Sequence, residues 1–282
     1  MKVLPFKIPK PEQDALIYQE DVGVSFYDKL HQHEEIQLSL IVEGEGTLIV
    51  GDAINYYKKG DILIVGSNIP HVFKSDMEGP SNSKMLSLFF TESSFGDHFF
   101  ELEELKELNS FFKRTKHGFR ITSKNKKILK LFLDLKDASK LERFIILLNL
   151  LKLISSANYK SLSSFIYEKK YSVIEGKRMQ DVFEFTMTNY RQEISLEKIS
   201  NVANMTKNAF CKYFKKRTNK TYFRFLNELR IEYAIKLLQS NSDASIAEIA
   251  YQAGFKNISN FNRQFKAVKN TSPSNFKKII NL

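Results

Sequence analysis

The feature that most constrains the fold of this chain is an internal repeat in its last third. The segment LEKISNVANMTKNAFCKYFKKRTN, which begins at Leu196, aligns with IAEIAYQAGFKNISNFNRQFKAVKN, which begins at Ile246, when one residue is inserted. Apolar residues coincide at these pairs: Ile199 with Ile249, Ala203 with Ala253, Phe210 with Phe261, and Phe214 with Phe265. Each copy therefore predicts one supersecondary unit, made of a short helix, a tight turn and a second helix.

Residues that tolerate a left-handed backbone stand at equivalent places in the two copies. Asn204 and Gly254 occupy the predicted turns, and Asn219 and Asn270 follow the second helices. Side chains that can cap helix N-termini precede the predicted helices. These are Thr206, Ser245 with Glu248 in a capping-box pattern, either Asn257 or Ser259, and Ser272 followed by Pro273. The local chemistry thus agrees with the repeat.

A single long helix is predicted between the two copies. The segment TYFRFLNELRIEYAIKLLQ begins at Thr221, a potential N-cap, and its apolar residues recur at helical spacing along one face. A helix of this length spans about 28 Å. Successive major-groove turns on one side of DNA lie about 34 Å apart. The length therefore suits the placement of the two second helices in adjacent turns of the groove.

The positive charge of the chain is concentrated in the same region. Residues 180–282 carry 17 Lys and Arg against 8 Asp and Glu, whereas the preceding residues carry 26 against 24. A basic region beside a nearly neutral one indicates a polyanionic partner. A well-solvated basic surface is the alternative interpretation.

The ordered residues of this region resemble the AraC/XylS family of bacterial regulators. The matching segments are NELRIEYAIKLL in the long helix, then IAEIAYQAGF, SNFNRQFK and SPSNF, and the resemblance covers roughly residues 177–282. The chain departs from the family pattern at Asn219 and Asn270, where glycine is usual. The resemblance implies a sequence-specific transcription regulator that binds double-stranded promoter DNA, with no enzymatic activity and no cofactor. It also implies a homodimer, and RNA polymerase as a partner if the protein activates transcription.

The resemblance also assigns roles on the two second helices. The residues implied to face the bases are Asn208, Cys211, Lys212, Ser259, Asn260, Asn262 and Arg263. The residues implied to contact phosphates are Lys207, Lys215, Lys216, Arg217 and Lys266. The residues expected in the core are Ala209, Phe210, Tyr213, Phe214, Phe261 and Phe265. Asparagine can pair bidentately with adenine and arginine with guanine. For each polar residue alone a solvated helix face is the alternative, and for Cys211 so is redox sensing.

The first part of the chain alternates polar and apolar residues in short runs, which predicts strands up to about Thr91. Two of its segments, HQHEEIQLSLIVEGEGTLIV and KKGDILIVGSNIPHVF, resemble the cupin β-barrel that is the sensor domain of AraC-type regulators. The matching residues are His31, His33, Gly44, Gly60, Pro70 and His71.

The cupin resemblance implies an effector pocket inside the barrel. Its candidate residues are His31, His33, Glu35, Gln37 and His71. Gln37 stands where cupins usually carry a glutamate ligand, and a neutral amide is a weaker ligand for a divalent ion. The prediction is therefore a small-molecule effector, for example a sugar, and no metal. A metal bound by His31, His33 and His71, and histidines with a purely structural role, remain alternatives.

The whole sequence predicts an α+β fold in two domains, an N-terminal cupin-like β-barrel with following helices and a C-terminal all-α tandem helix-turn-helix domain. The predicted boundaries are 1–96 for the effector-sensing barrel, 97–176 for a helical dimerisation or linker region, and 177–282 for the DNA-binding domain. In the middle region the apolar segment LERFIILLNLLKLI, with Leu148 and Leu151, forms either core or a dimer interface.

The sequence further predicts a soluble, cytoplasmic protein with no membrane partner. The start, MKVLPFKIPKPEQ, reaches prolines before an apolar run forms, so no signal peptide is predicted. The most apolar stretch, Phe144 to Ile154, falls short of the about 20 residues that span a membrane. The single cysteine, Cys211, excludes an internal disulfide.

Two other functional classes fit parts of the sequence. A metal-dependent cupin enzyme fused to a DNA-binding tail is the first, and the missing acidic ligand at Gln37 argues against it. A DNA binder without sequence preference is the second. Asparagine and arginine at base-facing positions argue against that class, because contacts to the DNA backbone require only Lys and Arg.

Overall fold

The computed structural model describes residues 14–76, 82–123, 125–166, 173–240 and 244–280. The chain divides into two compact units, Met1–Gly176 and Lys177–Leu282. The N-terminal segment MKVLPFKIPKPEQ, on which the prediction about a signal peptide depends, lies outside the described residues.

The N-terminal unit is built on two antiparallel sheets, which confirms the predicted β-rich module. Its strands are β1 (Ile17–Gly23), β2 (Ile36–Glu43), β3 (Gly46–Val50), β4 (Ala53–Tyr57), β5 (Ile62–Val65), β6 (His71–Ser75), β7 (Ser83–Phe90), β8 (Phe119–Ile121) and β9 (Tyr159–Ser161). One sheet has the order β1-β7-β2-β5-β8-β9, and the other has the order β4-β3-β6. Because side chains alternate across a strand, β5 contributes to two cores. Leu63 and Val65 join the core that includes β3, whereas Ile62 and Ile64 join the core that includes the helices.

The helices of the N-terminal unit share that second core with the larger sheet. They are two short 3-10 helices (Phe99–Glu101 and Glu103–Leu108), α1 (Asn109–Thr115), α2 (Lys126–Asp134) and α3 (Lys140–Ser156). Helix α3 buries Leu147, Leu150, Leu151 and Ile154 completely. Residues 97–166 thus have a common core with the strands, and they add β8 and β9 to the sheet, so this segment is not purely helical.

The apolar residues that α3 exposes are not the ones named from the sequence for a dimer interface. Leu151 is fully buried in the core that α3 shares with the larger sheet, and Leu148 is half-buried. The exposed apolar side chains are Leu141 and Ile145, which are 68% and 50% exposed. Of the two interpretations of this helix, core packing is correct for Leu151.

The C-terminal unit is all-α, as predicted. Its helices are α4 (Val173–Asn189), α5 (Leu196–Val202), α6 (Lys207–Thr218), α7 (Tyr222–Ser240), α8 (Ile246–Gln252), α9 (Ile258–Lys269) and α10 (Pro273–Ile280). The long helix α7 contacts helices of both repeats. Phe225 packs on Phe214 of the first repeat, and Ala234 lies in one core with Phe261 and Phe265 of the second. Among the described residues, no helix has the length and apolar character needed to cross a membrane.

Candidate nucleic-acid interface and effector site

Helices α6 and α9 begin and end in the same way, which confirms the predicted repeat. Thr206 Oγ1 accepts a hydrogen bond from the Ala209 amide at 3.3 Å, and Asn257 Oδ1 accepts one from the Ser259 amide at 2.7 Å. Asn257 is therefore the N-cap of α9, and Ser259 is not. Both helices have 12 residues and end at an asparagine with left-handed backbone, φ 54° at Asn219 and 56° at Asn270.

The helices that precede them are also equivalent. The backbone turns through positive φ at Asn204 (52°) and at Gly254 (86°), as the alignment predicts. The capping box of α8 is present, because the Ser245 amide donates to Glu248 Oε2 at 2.7 Å and the Glu248 amide donates to Ser245 Oγ at 3.2 Å. In the first repeat Ser195 Oγ accepts from the Lys198 amide at 3.1 Å. This cap was not among the sequence predictions, although a serine directly before an apolar helix is the usual signal.

The solvent face of α6 carries the predicted polar residues. Its exposed side chains are Lys207, Asn208, Cys211, Lys212, Lys215 and Lys216, and its buried ones are Phe210 and Phe214. Arg217 is half-buried, and its guanidinium lies 5.8 Å from the centre of the Tyr213 ring. Ala209, predicted in the core, is exposed, because the buried stripe of this helix is only one residue wide in each turn. The face is therefore polar and strongly basic.

The solvent face of α9 has a different chemistry. Ser259, Asn262, Arg263 and Lys266 are exposed, whereas Asn260 is half-buried. Arg263 Nη2 donates to Asn260 Oδ1 at 3.0 Å. This bond orients the guanidinium and, with a second donor from Gln264 Nε2 at 3.5 Å, occupies the carbonyl oxygen of Asn260. Arginine and asparagine side chains are the groups that pair bidentately with guanine and adenine.

The three predicted histidines meet in the N-terminal unit. His71 begins β6, His31 forms an isolated antiparallel bridge with it, and His33 lies just before β2. The ring centres of His31 and His71 are 4.2 Å apart, and those of His33 and His71 are 5.0 Å apart. One nitrogen from each ring lies within 4.8 Å of the others. The cluster therefore offers converging nitrogen atoms in a largely buried place.

Backbone carbonyls orient all three imidazole rings. The Nδ1 atoms of His31, His33 and His71 lie 2.8, 2.9 and 2.8 Å from the carbonyl oxygens of Lys29, Glu35 and Ile69. Because a carbonyl oxygen only accepts, each Nδ1 carries the proton. Burial lowers the pKa of His31 to about 4 and also lowers the pKa of His33 and that of His71. The rings are therefore neutral near pH 7, and each Nε2 is left as an acceptor.

A buried polar chain leads from this cluster into the unit. His33 Nε2 lies 3.4 Å from the side-chain amide of Gln37, the amide lies 2.9 Å from Ser39 Oγ, and Ser39 Oγ lies 2.8 Å from Ser87 Oγ. Since His33 Nε2 is an acceptor, the Gln37 amide satisfies it best when its NH2 group points to the imidazole and its oxygen accepts from Ser39. Sequence reasoning missed Ser39 and Ser87. The second of these lies on β7, and nothing in the local sequence marks its partner.

The other two residues of the predicted pocket, Glu35 and Gln37, contact the histidine cluster in different ways. Glu35 accepts from His33 through its backbone carbonyl, and its carboxylate stays 3.8 Å from the same ring nitrogen. Gln37 is 4% exposed and contacts His33 directly. Among the described residues, His71 Nε2 is a buried atom with no hydrogen-bond partner. A buried acceptor of this kind calls for a donor, a water molecule or an ion.

Comparisons with known proteins find one family model in each of the two structural units. A family model described as a helix-turn-helix domain matches residues 199–279, and a model described as a cupin domain matches residues 21–88. The chain is similar to YdeC of Bacillus subtilis (strain 168), an uncharacterized HTH-type transcriptional regulator, with 25% identity over 91% of this chain and 88% of that protein.

Two further comparisons differ in the share of each chain they cover. An uncharacterized HTH-type transcriptional regulator of Staphylococcus aureus is 20% identical over 94% of this chain, which spans 34% of that longer protein. Among solved structures, that of ToxT from Vibrio cholerae O395 is similar with 15% identity over 94% of this chain and 98% of that chain, at a TM-score of 0.37.

Proposed function

We propose that this chain, which combines an AraC-type helix-turn-helix domain with an N-terminal cupin domain, is a transcription regulator that reads DNA with α6 and α9. The observation that carries the proposal is the pair of equivalent helices with polar, exposed faces between buried aromatic residues. The names of the relatives favour regulation over catalysis. Structure and charge support the same conclusion, since both polar faces belong to the basic part of the chain.

We assign the base contacts and phosphate contacts by side-chain chemistry. Asn262 and Arg263 of α9 suit base edges, each bidentate pair contributing about 1–3 kcal/mol of discrimination. In α6, Asn208, Cys211 and Lys212 face the same way along the helix. Contacts from the exposed lysines around them position the protein on the phosphates without specifying sequence.

Selection from a pool of duplexes with a randomised segment tests this proposal directly. The full-length chain should enrich a recurring sequence with two separated elements. The variant Asn262→Ala/Arg263→Lys keeps the charge of α9, and it should lose one element and keep the other. A matched control is Lys59→Ala, which removes an exposed charge from the N-terminal unit. Enrichment of no common sequence by the unaltered chain would contradict the proposal.

We further propose that the histidine cluster binds a small, neutral effector rich in hydroxyl groups, such as a sugar. Neutral imidazoles accept hydrogen bonds from hydroxyls, and the buried polar chain from Gln37 to Ser87 both donates and accepts. His71 Nε2 is the acceptor such a ligand would satisfy. The effector acts on DNA binding only if it binds two states of the protein with different affinity.

A panel of sugars and polyols tests effector binding through the melting temperature of the full-length chain and its DNA affinity. We expect at least one compound to shift both. The variant Gln37→Leu, which removes the amide at similar size, should abolish the shift, whereas Lys59→Ala should retain it. Absence of any shift across the panel, or an unchanged shift in Gln37→Leu, would contradict an effector site here.

A divalent transition metal is the second candidate ligand, because the three rings fit one. Each Nδ1 is held by a carbonyl oxygen, the arrangement that leaves Nε2 for a metal, and one ring nitrogen from each lies within 4.8 Å of the others. Gln37 is the weak point of such a site, since its amide competes for His33 Nε2. The variant Gln37→Glu should therefore raise Co²⁺ affinity, observed in the visible spectrum of the bound ion. If neither the unaltered chain nor Gln37→Glu binds Co²⁺, the metal candidate is excluded.

We also propose that the chain forms a homodimer and, if it activates transcription, contacts RNA polymerase. We assign the dimer interface to Leu141 and Ile145, the exposed apolar side chains of α3. Light scattering of the variant Leu141→Glu/Ile145→Glu tests this, because neither side chain belongs to the buried core. A dimer that persists at the same concentration in this variant would place the interface elsewhere.

A further inference from the structure

The loop between α4 and α5 lies directly against the turn of the second repeat. A side chain at Gly254 would have its Cβ 2.8 Å from the carbonyl oxygen of Arg191 and 2.9 Å from that of Tyr190. Contacts this short do not occur for real Cβ atoms, and the positive φ of Gly254 disfavours a side chain as well. The backbone of the loop that leads into the first repeat therefore touches the turn of the second repeat, at a point that only glycine permits.

One arginine of the long helix connects both sides of this contact. Arg230 Nε donates to the carbonyl oxygen of Tyr190 at 2.7 Å, and its Nη2 donates to that of Gln192 at 2.7 Å. The same guanidinium lies 5.8 Å from the centre of the Phe255 ring, which follows Gly254 in the second repeat. Charged donors to carbonyl oxygens are stronger than neutral ones, so this side chain holds the loop firmly on α7.

An aromatic side chain adds a second connection one turn along α7. The Tyr190 and Tyr233 rings lie 5.5 Å apart in an edge-to-face arrangement, and Arg191 Nη1 donates to the Tyr233 hydroxyl at 3.1 Å. At the rim, Lys256 Nζ and Glu193 Oε2 are 2.5 Å apart. Both of these charged side chains are exposed, and surface pairs contribute little. The bonds of the half-buried Arg230 to backbone carbonyls and the close backbone approach at Gly254 thus carry the connection.

We propose that this contact, which joins the loop before α5 (residues 190–193) to Arg230 and Tyr233 of α7 and to residues 254–256 of the second repeat, fixes the distance and rotational phase between α6 and α9. The inference rests on the proposed function, in which both helices read one DNA duplex. Because α6 and α9 are held in one geometry, they can bind their two sequence elements on the DNA together. No further conformational freedom is lost when the second helix binds. Arg230 is therefore a positioning residue that determines which spacing of subsites the protein accepts.

A spacing series of DNA duplexes tests the inference. The duplexes carry the two sequence elements selected by the full-length chain, separated by spacers that change in steps of one base pair. Each step rotates the second element by about 34–36° around the DNA axis. The unaltered chain should show one optimum and lose about tenfold or more in affinity at neighbouring spacings, because the two elements can no longer be engaged together.

Two variants weaken the contact in different ways. Arg230→Lys keeps the charge but cannot reach both carbonyl oxygens, and Gly254→Ala forces the two backbones apart. In both we expect affinity to fall at the optimal spacing and to change little at the others, so that the spacing profile flattens. The matched control is Arg224→Lys on the same helix, an exposed arginine paired with Glu228, which should keep the sharp profile.

The outcomes separate this inference from the function on which it rests. Circular dichroism and binding to a duplex with a single element confirm that each variant is folded and still binds DNA. A loss of affinity that is uniform across all spacings, or an optimum as sharp as that of the unaltered chain in Arg230→Lys, would overturn the positioning role. Failure of the unaltered chain to select any sequence would overturn the proposed function itself.

Discussion

Helices α6 and α9 have the same length, a side-chain N-cap and a left-handed asparagine at the end, yet their equivalent solvent positions carry different side chains. Where α6 has Cys211 and Lys212, α9 has Asn262 and Arg263. Asparagine and arginine present planar, preorganised groups that match base edges, whereas the lysine ammonium is a flexible point charge and the cysteine thiol a weak hydrogen-bonding group. The shared backbone of the repeat thus gives both helices an equivalent exposed face. The side chains on that face determine which bases each copy recognises.

The last turns of the two helices differ in charge. Lys216 and Arg217 of α6 align with Ala267 and Val268 of α9. Additional cations strengthen attachment to phosphates without adding sequence information. We therefore expect each helix to select one sequence element, with α6 adding more affinity and a stronger dependence on salt, and α9 discriminating more strongly between sequences.

The largest expected effect tests whether the two repeats are equivalent in their cores. Phe214 and Phe265 are both fully buried, and each packs against other aromatic rings. Replacing either with alanine should lower the free energy of unfolding of the C-terminal unit by about 3–5 kcal/mol. Urea denaturation followed by the helical signal in circular dichroism measures this. Tyr251→Ala, at a side chain that is 80% exposed, should be nearly neutral.

Unequal losses in the free energy of unfolding would show that the cores of the two repeats are not equivalent. If Phe265→Ala costs far less than Phe214→Ala, the second repeat depends less on its aromatic core than its equivalent burial indicates.

The next effect is an exchange between equivalent positions of the two faces. Arg263→Lys should lose part of the about 1–3 kcal/mol of discrimination that a bidentate pair provides at one base pair, because the flexible ammonium of lysine lacks the rigid planar fork of the guanidinium. Lys212→Arg is the reciprocal change in α6. Gel-shift affinities for duplexes with single substitutions measure the discrimination. Equal discrimination in Arg263→Lys and the unaltered chain would mean that Arg263 contacts only phosphate.

Removing the N-caps of α5 and α8 should have a smaller effect on stability, and a similar one in the two repeats. Ser245→Ala should lower the free energy of unfolding by about 1 kcal/mol, since it removes the capping box of α8. Ser195→Ala in the first repeat should cost a similar amount or less, because Ser195 makes a single described cap bond. Thermal denaturation of both variants provides the measurement. A neutral Ser245→Ala would show that tertiary packing alone holds α8 in place.

The smallest effect concerns salt. Lys216→Ala should reduce the slope of log affinity against log salt concentration by about one unit, with the same loss for every DNA sequence. Ala267→Lys, at the equivalent position of α9, should steepen the slope by a similar amount. A salt series measured by gel shift gives both slopes. A sequence-dependent loss in Lys216→Ala would assign this lysine a base contact.

The C-terminal unit could be predicted closely because its signals are local. The left-handed positions at Asn204 and Gly254, the capping box at Ser245 and the N-cap at Thr206 depend on residues a few positions apart. The exposure of Ala209 was the exception. Its prediction assumed a wider buried face than a helix has when only one aromatic residue in each turn reaches the core.

Features that join distant segments could not be predicted. Strands β8 and β9 have three residues each, too few for a visible alternation, and their partners lie far away in sequence. The Arg230 contacts join residues 38 and 40 positions apart, and the Ser39–Ser87 bond joins residues 48 apart. In the histidine cluster the three histidines were predicted from their resemblance to a known pattern. The carbonyl groups that orient them became visible only in three dimensions.

The proposal that both repeats read one duplex is tested most directly by hydroxyl-radical footprinting of the full-length chain on a selected duplex. We expect two protected stretches on one face of the DNA, about 10–10.5 base pairs apart from centre to centre. In Asn262→Ala/Arg263→Lys the protection at one stretch should weaken while the other remains. A single protected stretch, or protection that does not depend on sequence, would contradict the proposal.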